Sequence, residues 1–543
     1  MIEISNLRIP LDRLDGTEKG ELAVCRRAVA RKLGIREGRI RNIELRRRSI
    51  DARKRSSILI TFTVRLSVDG DETALTRNRR NNARLIDKPS YGLPTATRPY
   101  DGPRPVVVGA GCAGLFCALA LASAGMRPLL VERGDDAERR TDAVRRFEQT
   151  GELDTQSNIQ FGIGGAGTFS DGKLSTGTKS PAHRLILEAL VNAGAQRRIL
   201  WDAKPHVGSD VLPSVVTQLV QRIEELGGEV RFRTRLTGIG LRDGHVRNVT
   251  LTTTAGDEHV DASDVVLACG HSARDVFALL RDAGVALERK TFAMGVRIEH
   301  VQREVDRALY GSSAGHPALG AAPYKLAEHL SGGRSAFSFC MCPGGFVVAA
   351  ASEPEGVVTN GMSLSDRAGT NANAALLANV FPTDLAGDDV LAGVELQRRC
   401  EQMAYEMGGG GFVAPAQLVG DFLQQGASSS PGRVEPTYPR GVTWANVGHA
   451  LPSYITDTLR AALPRMARKL HGFDAADAVL TGVETRSSSP VRVTRGDDGQ
   501  SVNTRGLWPC GEGAGYAGGI MSAATDGLNT AEALIRLRAG SFS

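Results

Sequence analysis

The segment that most constrains this chain is PVVVGAGCAGLFCALALASAGMRPLLVERG, residues 105–134. Val106–Val108 read as a short buried strand, and the apolar stretch after Gly114 reads as a helix. Gly109 permits the sharp turn between them. Gly111 lets the backbone approach a pyrophosphate, and Gly114 permits close helix–strand packing. Cys112 and Ala113 lie in the first turn, whose N–H groups and positive dipole end suit phosphate. A second strand, PLLVE, ends in Glu132, with Arg133 next. A carboxylate there can accept hydrogen bonds from both hydroxyls of a ribose. Strand, glycine turn, helix, strand and terminal acid stand in register, which makes the dinucleotide signal specific where glycines alone are not.

The acid disfavours a 2′-phosphate, so NADP is set aside while FAD and NAD both remain open. A second glycine pattern follows in QFGIGGAGTFSDGK, residues 160–173, with Gly162, Gly164 and Gly167 in the same spacing. Its context is wrong for a second dinucleotide turn. LDTQSNIQ before it is too polar for a central strand, and TFSDGKLSTGTKS after it is not an amphipathic helix. These glycines are expected to crowd backbone N–H groups toward an anionic ligand.

The rest of the chain bounds the architecture. At 543 residues it exceeds one ordinary domain. Hydrophobic content of 41% and charged content of 23% fit a soluble globular protein. No apolar run reaches the ~20 residues needed to cross a membrane, and the N-terminus lacks a secretion signal. The expectation is a cytoplasmic protein with no membrane contact. Residues 1–90 read as a basic α/β module, 91–104 as a linker, and 105–290 as the first part of a Rossmann-like domain. Residues 291–445 read as an inserted α+β substrate domain, and 446–543 as the return of the first domain. Residues 1–104 hold 24 Lys/Arg against 13 Asp/Glu, whereas the remainder holds 42 against 47. That asymmetry raises nucleic-acid contact as a minor alternative. The eight cysteines show no metal-ligand spacing. Cys112 and Cys117 fall inside the first glycine motif and its helix and read as packing residues. Cys340 and Cys342 share one face if their stretch is a strand, and packing is again the expectation.

Several segments together resemble the two-dinucleotide-binding-domain flavoproteins. GLWPCGEGAGYAGGIMSAATDG, residues 506–527, resembles their second FAD motif, and DVVLACGHSARD resembles the strand that ends beside the adenosine. More narrowly, NIQFGIGGAGTFSDGKL, AKPHVGSD, FCMCPGGFVVAAASEPEGVVTNGMSLSDR and VETRSSSPVR resemble a bacterial family of uncharacterised FAD-dependent dehydrogenases, also called NAD(FAD)-utilising. The resemblance spans nearly the whole chain. It implies noncovalent FAD held by Gly109, Gly111, Cys112, Ala113, Gly114, Glu132 and Arg133. It adds Leu236, Ala268 and Gly270 at the adenosine. Gly511 and Glu512 fall near the ribityl chain, and Gly519, Ile520 and Met521 at the pyrimidine edge. The second glycine loop would run past the pyrophosphate toward the isoalloxazine ring. That gives Gly165, Ala166, Gly167, Thr168 and Ser170 to the flavin.

Lys173 and Arg486 are the candidate catalytic residues. Lys173 suits tuning of the flavin or proton transfer, and Arg486 suits an anionic substrate or a flavin carbonyl. His271, His206 with Asp210, and Asn360, Ser363 and Arg367 are weaker candidates. The leading expectation is an FAD-dependent oxidoreductase acting on a small molecule, with NAD(P)H as a transient electron donor. A flavoprotein that contacts RNA through the basic module and an FAD-bound redox sensor or scaffold are the alternatives. No metal is expected.

Overall fold

The computed structural model describes residues 1–77, 81–86 and 91–540. The N-terminal module is built as its periodicity predicts. Helix Glu18–Leu33 turns Cys25, Val29 and Leu33 inward and stops at Gly34, which takes a left-handed conformation at φ 67°. It covers an antiparallel sheet ordered Ile40–Asp51, Leu59–Val68, Ile2–Pro10, Ala83–Leu85. The strand Leu59–Val68 alternates buried and half-buried residues along its length, the pattern of a sheet with one packed face. The expected module boundary at residue 90 lies outside the described residues.

Arg48 fixes this module to the rest of the chain. Its Nε donates to both Glu21 carboxylate oxygens at 2.9 and 3.0 Å, and its Nη2 donates to the Ala318 carbonyl. Its backbone N–H reaches the Trp201 carbonyl at 2.7 Å. Arg53 pairs with its neighbour Asp51. Part of the basic run that raised nucleic-acid contact is therefore spent on bonds within the chain.

The central domain carries a five-stranded parallel sheet, ordered Leu507–Pro509, Val265–Leu267, Val106–Val108, Leu129–Val131, Glu229–Arg231. Its three inner strands are fully buried runs of Val and Leu, as a parallel sheet covered on both faces requires. The helices Cys112–Ser123 and Ile520–Ala539 lie together on one face. Their close approach needs Gly527, where any Cβ would overlap the backbone of Ala113. An antiparallel meander, residues 235–261, lies on the other side.

The inserted domain is organised by a seven-stranded mixed sheet. Its two central neighbours, Phe292–Val301 and Asn371–Val380, are almost entirely buried. The expected boundary at residue 445 does not survive. Val479–Glu484 pairs with Phe292–Val301 and with Ala414–Leu418 in this same sheet, so the chain returns to the central domain only after Glu484. The sequence misled here because this pairing joins strands far apart in the chain, which no short stretch of residues records.

Candidate functional site

The two glycine segments meet face to face. Gly109 turns at φ 100°, and Gly111 opens the helix Cys112–Ser123. Gly111 and Gly164 form a parallel bridge, and the Gly164 N–H donates to the Ala110 carbonyl at 2.7 Å. The second segment has no preceding strand. It forms a 3-10 turn over Gly165–Phe169, so it is a loop laid on the first turn.

Two buried side chains hold this loop. Arg140, on helix Ala137–Thr150, is fully buried and donates to the carbonyls of Asn158, Ile159 and Ile163. Burial pulls its guanidinium down to about 10, which still leaves it charged at neutral pH. Glu132 accepts from Ala110 N–H at 2.8 Å, and from Gly134 and Gly162 N–H at 2.9 Å each. A carboxylate offers about four acceptor positions. Three are thus occupied, which leaves Glu132 capacity for one ribose hydroxyl rather than two. Its main structural work is to brace one glycine segment against the other.

Between the segments runs a cavity of about 310 Å³, within the range of small-molecule sites. Its wall includes Leu236, Ala268 and Gly270, the expected adenosine contacts, with Glu132 and Arg133. Arg133 sits over the Phe161 ring and donates to Asp275. Gly109, Gly111, Cys112, Ala113, Gly165, Ala166, Gly167 and Glu512 also line the cavity. Lys173, Cys340, Asn360, Glu484, Arg486 and the turn Gly518–Ile520 line it as well. Helices Cys112–Ser123 and Ile520–Ala539 both begin at the wall with a glycine N-cap and no side-chain cap bond. Their free N–H groups suit the pyrophosphate and the pyrimidine edge of a flavin. A glycine-walled cavity with Glu132 and two open helix N-termini in its wall therefore fits FAD.

Four expected contacts do not face the cavity. Thr168 is buried and donates its hydroxyl to the Ile163 carbonyl at 3.0 Å. Gly114 lies beneath the turn, against the Gly109 carbonyl. The Gly511 N–H is taken by Asp526 at 2.7 Å, and Met521 is buried in the core behind the helix start. Ser170 lines the cavity, but its hydroxyl donates to Gly167 and accepts from Gly172 within the loop. Arg486 also lines the cavity, yet its Nε and Nη2 donate to Glu401 at 3.1 and 2.8 Å and its Nη1 to Ser352. Its donors are committed to the protein, which argues against a role in gripping substrate.

Of the weaker candidates, His271 bonds the Arg486 carbonyl at 2.7 Å, and burial lowers it to about 4, so it is neutral at pH 7. His206 and Asp210 both bond Ser365 and act as a turn brace. Ser363 donates to the Pro343 carbonyl. Arg367 grips Asp171, whose carboxylate also lies 2.9 Å from the Lys173 ammonium. Burial opposes charge on Lys173, but Cys342 and Asp171 hold its ammonium above the usual lysine range. Its Nζ is buried and makes no hydrogen bond among the described residues.

Glu484 was not anticipated. It ends the strand Val479–Glu484, lines the cavity, and accepts from Arg297 Nη1 at 2.9 and 3.1 Å. Burial lifts its carboxyl to about 7, although Arg297 pulls the other way. Burial likewise lifts Glu512 to about 7 against Lys290. Cys112 meets the cavity, but burial pushes its thiol up to about 12, and burial raises the Cys117 thiol too. Neither is an active thiol, in keeping with their reading as packing residues. Among the described residues no His/Cys/Asp/Glu group is arranged to hold a metal, and no helix is long and apolar enough to cross a membrane.

Comparison with known proteins identifies the dinucleotide. Residues 104–144 match the FAD binding domain, and residues 291–487 match the FAD-dependent protein, C-terminal domain-like, family. Residues 1–67 match a domain of unknown function. The chain binds FAD. An uncharacterised protein of Clostridium beijerinckii is 40% identical over 538 residues, covering 98% of each chain. Among solved structures, a myxobacterial chondrochloren halogenase gives a TM-score of 0.38 at 14% identity, over 81% of this chain and 76% of that one. The glycerol-3-phosphate dehydrogenase of Bacillus halodurans complexed with FAD gives 0.35 at 12% identity, over 80% and 65%.

Proposed function

The chain belongs to the same family as the clostridial protein, and we propose that it is an FAD-dependent oxidoreductase acting on a small molecule at the Lys173–Glu484 end of the cavity. The observation that carries this reading is the gathering of Lys173 and Glu484 about Cys340 on the cavity wall. Bound FAD would supply reversible hydride exchange at N5. The protein then contributes orientation, a walled slot and proton handling. Lys173, held charged beside Asp171, suits stabilisation of negative charge that develops at the ring end. Glu484, with its carboxyl near 7, is matched to accept or return a substrate proton at neutral pH. The backbone N–H groups of the two glycine segments bind the pyrophosphate, and Leu236 and Ala268 support the adenosine side.

The test is anaerobic rapid mixing of FAD-loaded protein with NADH, NADPH and small-molecule hydride donors, following the flavin absorbance. At least one donor should bleach the flavin at a catalytically useful rate. A flavin reducible only by dithionite would instead support a sensor or scaffold. With a productive donor that loses a proton, the rate should rise as pH passes through about 7 while Glu484 ionises. Glu484→Gln should abolish that rise and lower the limiting rate on the order of 100-fold. An unchanged pH profile in the variant removes Glu484 from proton transfer.

A further inference from the structure

The strand Ser335–Cys342 carries an irregularity at the cavity. Phe339 and Cys342 pair with Ala375 and Asn373 of the neighbouring strand, so one extra residue is inserted between them. Cys340, inside that bulge, takes φ 42°, a conformation uncommon for a residue with a side chain. Bulges re-aim side chains, and this one turns Cys340 into the cavity wall while Cys342 stays buried. Residues two apart in a flat strand lie about 6.6 Å apart, at the outer limit for a disulfide. Here the Cys342 thiol folds back on the bulge and donates to the Cys340 carbonyl at 3.2 Å.

The surroundings treat the two sulfurs differently. Arg297, fully buried, donates from Nη2 to the Cys340 carbonyl at 2.6 Å and to Cys342 Sγ at 3.4 Å. The Lys173 ammonium, paired with Asp171 at 2.9 Å, lies near the same two cysteines. The Cys342 side chain outweighs burial and holds Cys340 below the usual thiol range, with Lys173 and Arg297 adding to the effect. Burial and the Cys340 sulfur drive Cys342 in the opposite direction. A thiolate facing a cavity, backed by a protonated thiol, is the arrangement of an attacking cysteine and its resolving partner.

We propose that Cys340 and Cys342 form a redox-active thiol pair that exchanges two electrons with the FAD bound in this cavity. The proposal rests on the reading that the ring end of FAD lies at Lys173 and Glu484. Closing the Cys340–Cys342 S–S bond removes two electrons from the Cys340 thiolate and the Cys342 thiol, together with the Cys342 proton. The electrons and that proton pass to oxidised FAD. Opening the disulfide reverses these changes, with reduced FAD as the two-electron donor.

Two readouts on the full-length protein test the pair. Brief iodoacetamide labelling across pH 5–9, read by peptide mass, should give a Cys340 midpoint at least one unit below the ~8.5 of a free thiol. Cys342→Ala should raise that midpoint by at least one unit. Anaerobic dithionite titration of mildly oxidised, FAD-loaded protein should consume two electron pairs per FAD in the wild type. It should consume one in Cys342→Ala and one in Cys340→Ser. An ordinary labelling profile overturns the proposal, and so does a wild type that takes up one electron pair. Protein that retains no FAD would contradict the flavoenzyme reading instead. The Cys340–Cys342 disulfide should still form in mildly oxidised apoprotein, and its absence there overturns the pair.

Discussion

Replacing Gly111 with valine should give a folded protein that has lost FAD. Gly111 sits at φ −74° and ψ 179°, extended backbone that any residue adopts, so the substitution strains nothing locally. An added Cβ would meet only the Gly165 Cα, at 3.8 Å. The valine methyl groups would then stand in the slot between the two glycine segments, where the pyrophosphate belongs. Affinity for FAD should fall at least 100-fold, equivalent to about 2.8 kcal/mol. Far-UV circular dichroism and the thermal transition of the apoprotein should match the wild type. Gly111→Val protein that purifies yellow with full FAD content would refute the placement of the pyrophosphate.

The second large effect concerns stability. Glu401, on helix Ala392–Gly408, is buried at 1% exposure and accepts from two guanidinium groups. Arg274 reaches it at 2.9 and 2.7 Å, and Arg486 at 3.1 and 2.8 Å. Arg274 comes from the adenosine side of the central domain and Glu401 from the inserted domain, so this cluster joins the two. Glu401→Gln should destabilise the protein by about 3–5 kcal/mol, because it leaves buried positive charge with only Glu353 to compensate. Urea unfolding measures the loss. The pH dependence has a definite sign. Burial opposes ionisation of Glu401, but Arg274 and Arg486 outweigh it and hold the carboxyl far below the usual range. Its contribution is therefore complete above the unfolded value of ~4.3 and is lost as pH falls toward the folded value. The difference in stability between wild type and Glu401→Gln should shrink as pH drops below that point. A difference that stays constant from pH 7 to pH 3 would mean that ionised Glu401 does not hold this junction.

What the sequence disclosed follows from the range of the forces involved. The fingerprint at Gly109–Glu132 was legible because a strand, a turn, a helix and an acid are local requirements written in consecutive residues. The rejection of Gly162–Gly167 as a second such turn rested on its polar flanks. Its actual support came from Arg140, whose burial depends on a helix folding back over the loop. Thr168 was misjudged for a similar reason, since the choice between ligand and Ile163 carbonyl is made by the loop's own curl. Glu484 stood two residues from Arg486 in a segment that drew attention, but nothing local says that its strand belongs to the inserted sheet. The cavity-facing turn of Cys340 depends on a bulge set by the register against Asn371–Val380, which no short window contains.

The central claim is that two glycine segments build one FAD site. Equilibrium titration of the apoprotein with FAD, followed by counting of bound nucleotide after gel filtration in the presence of NAD, tests it most directly. The account predicts one FAD per chain and no retained nicotinamide dinucleotide. Two retained dinucleotides per chain, or none, would contradict it.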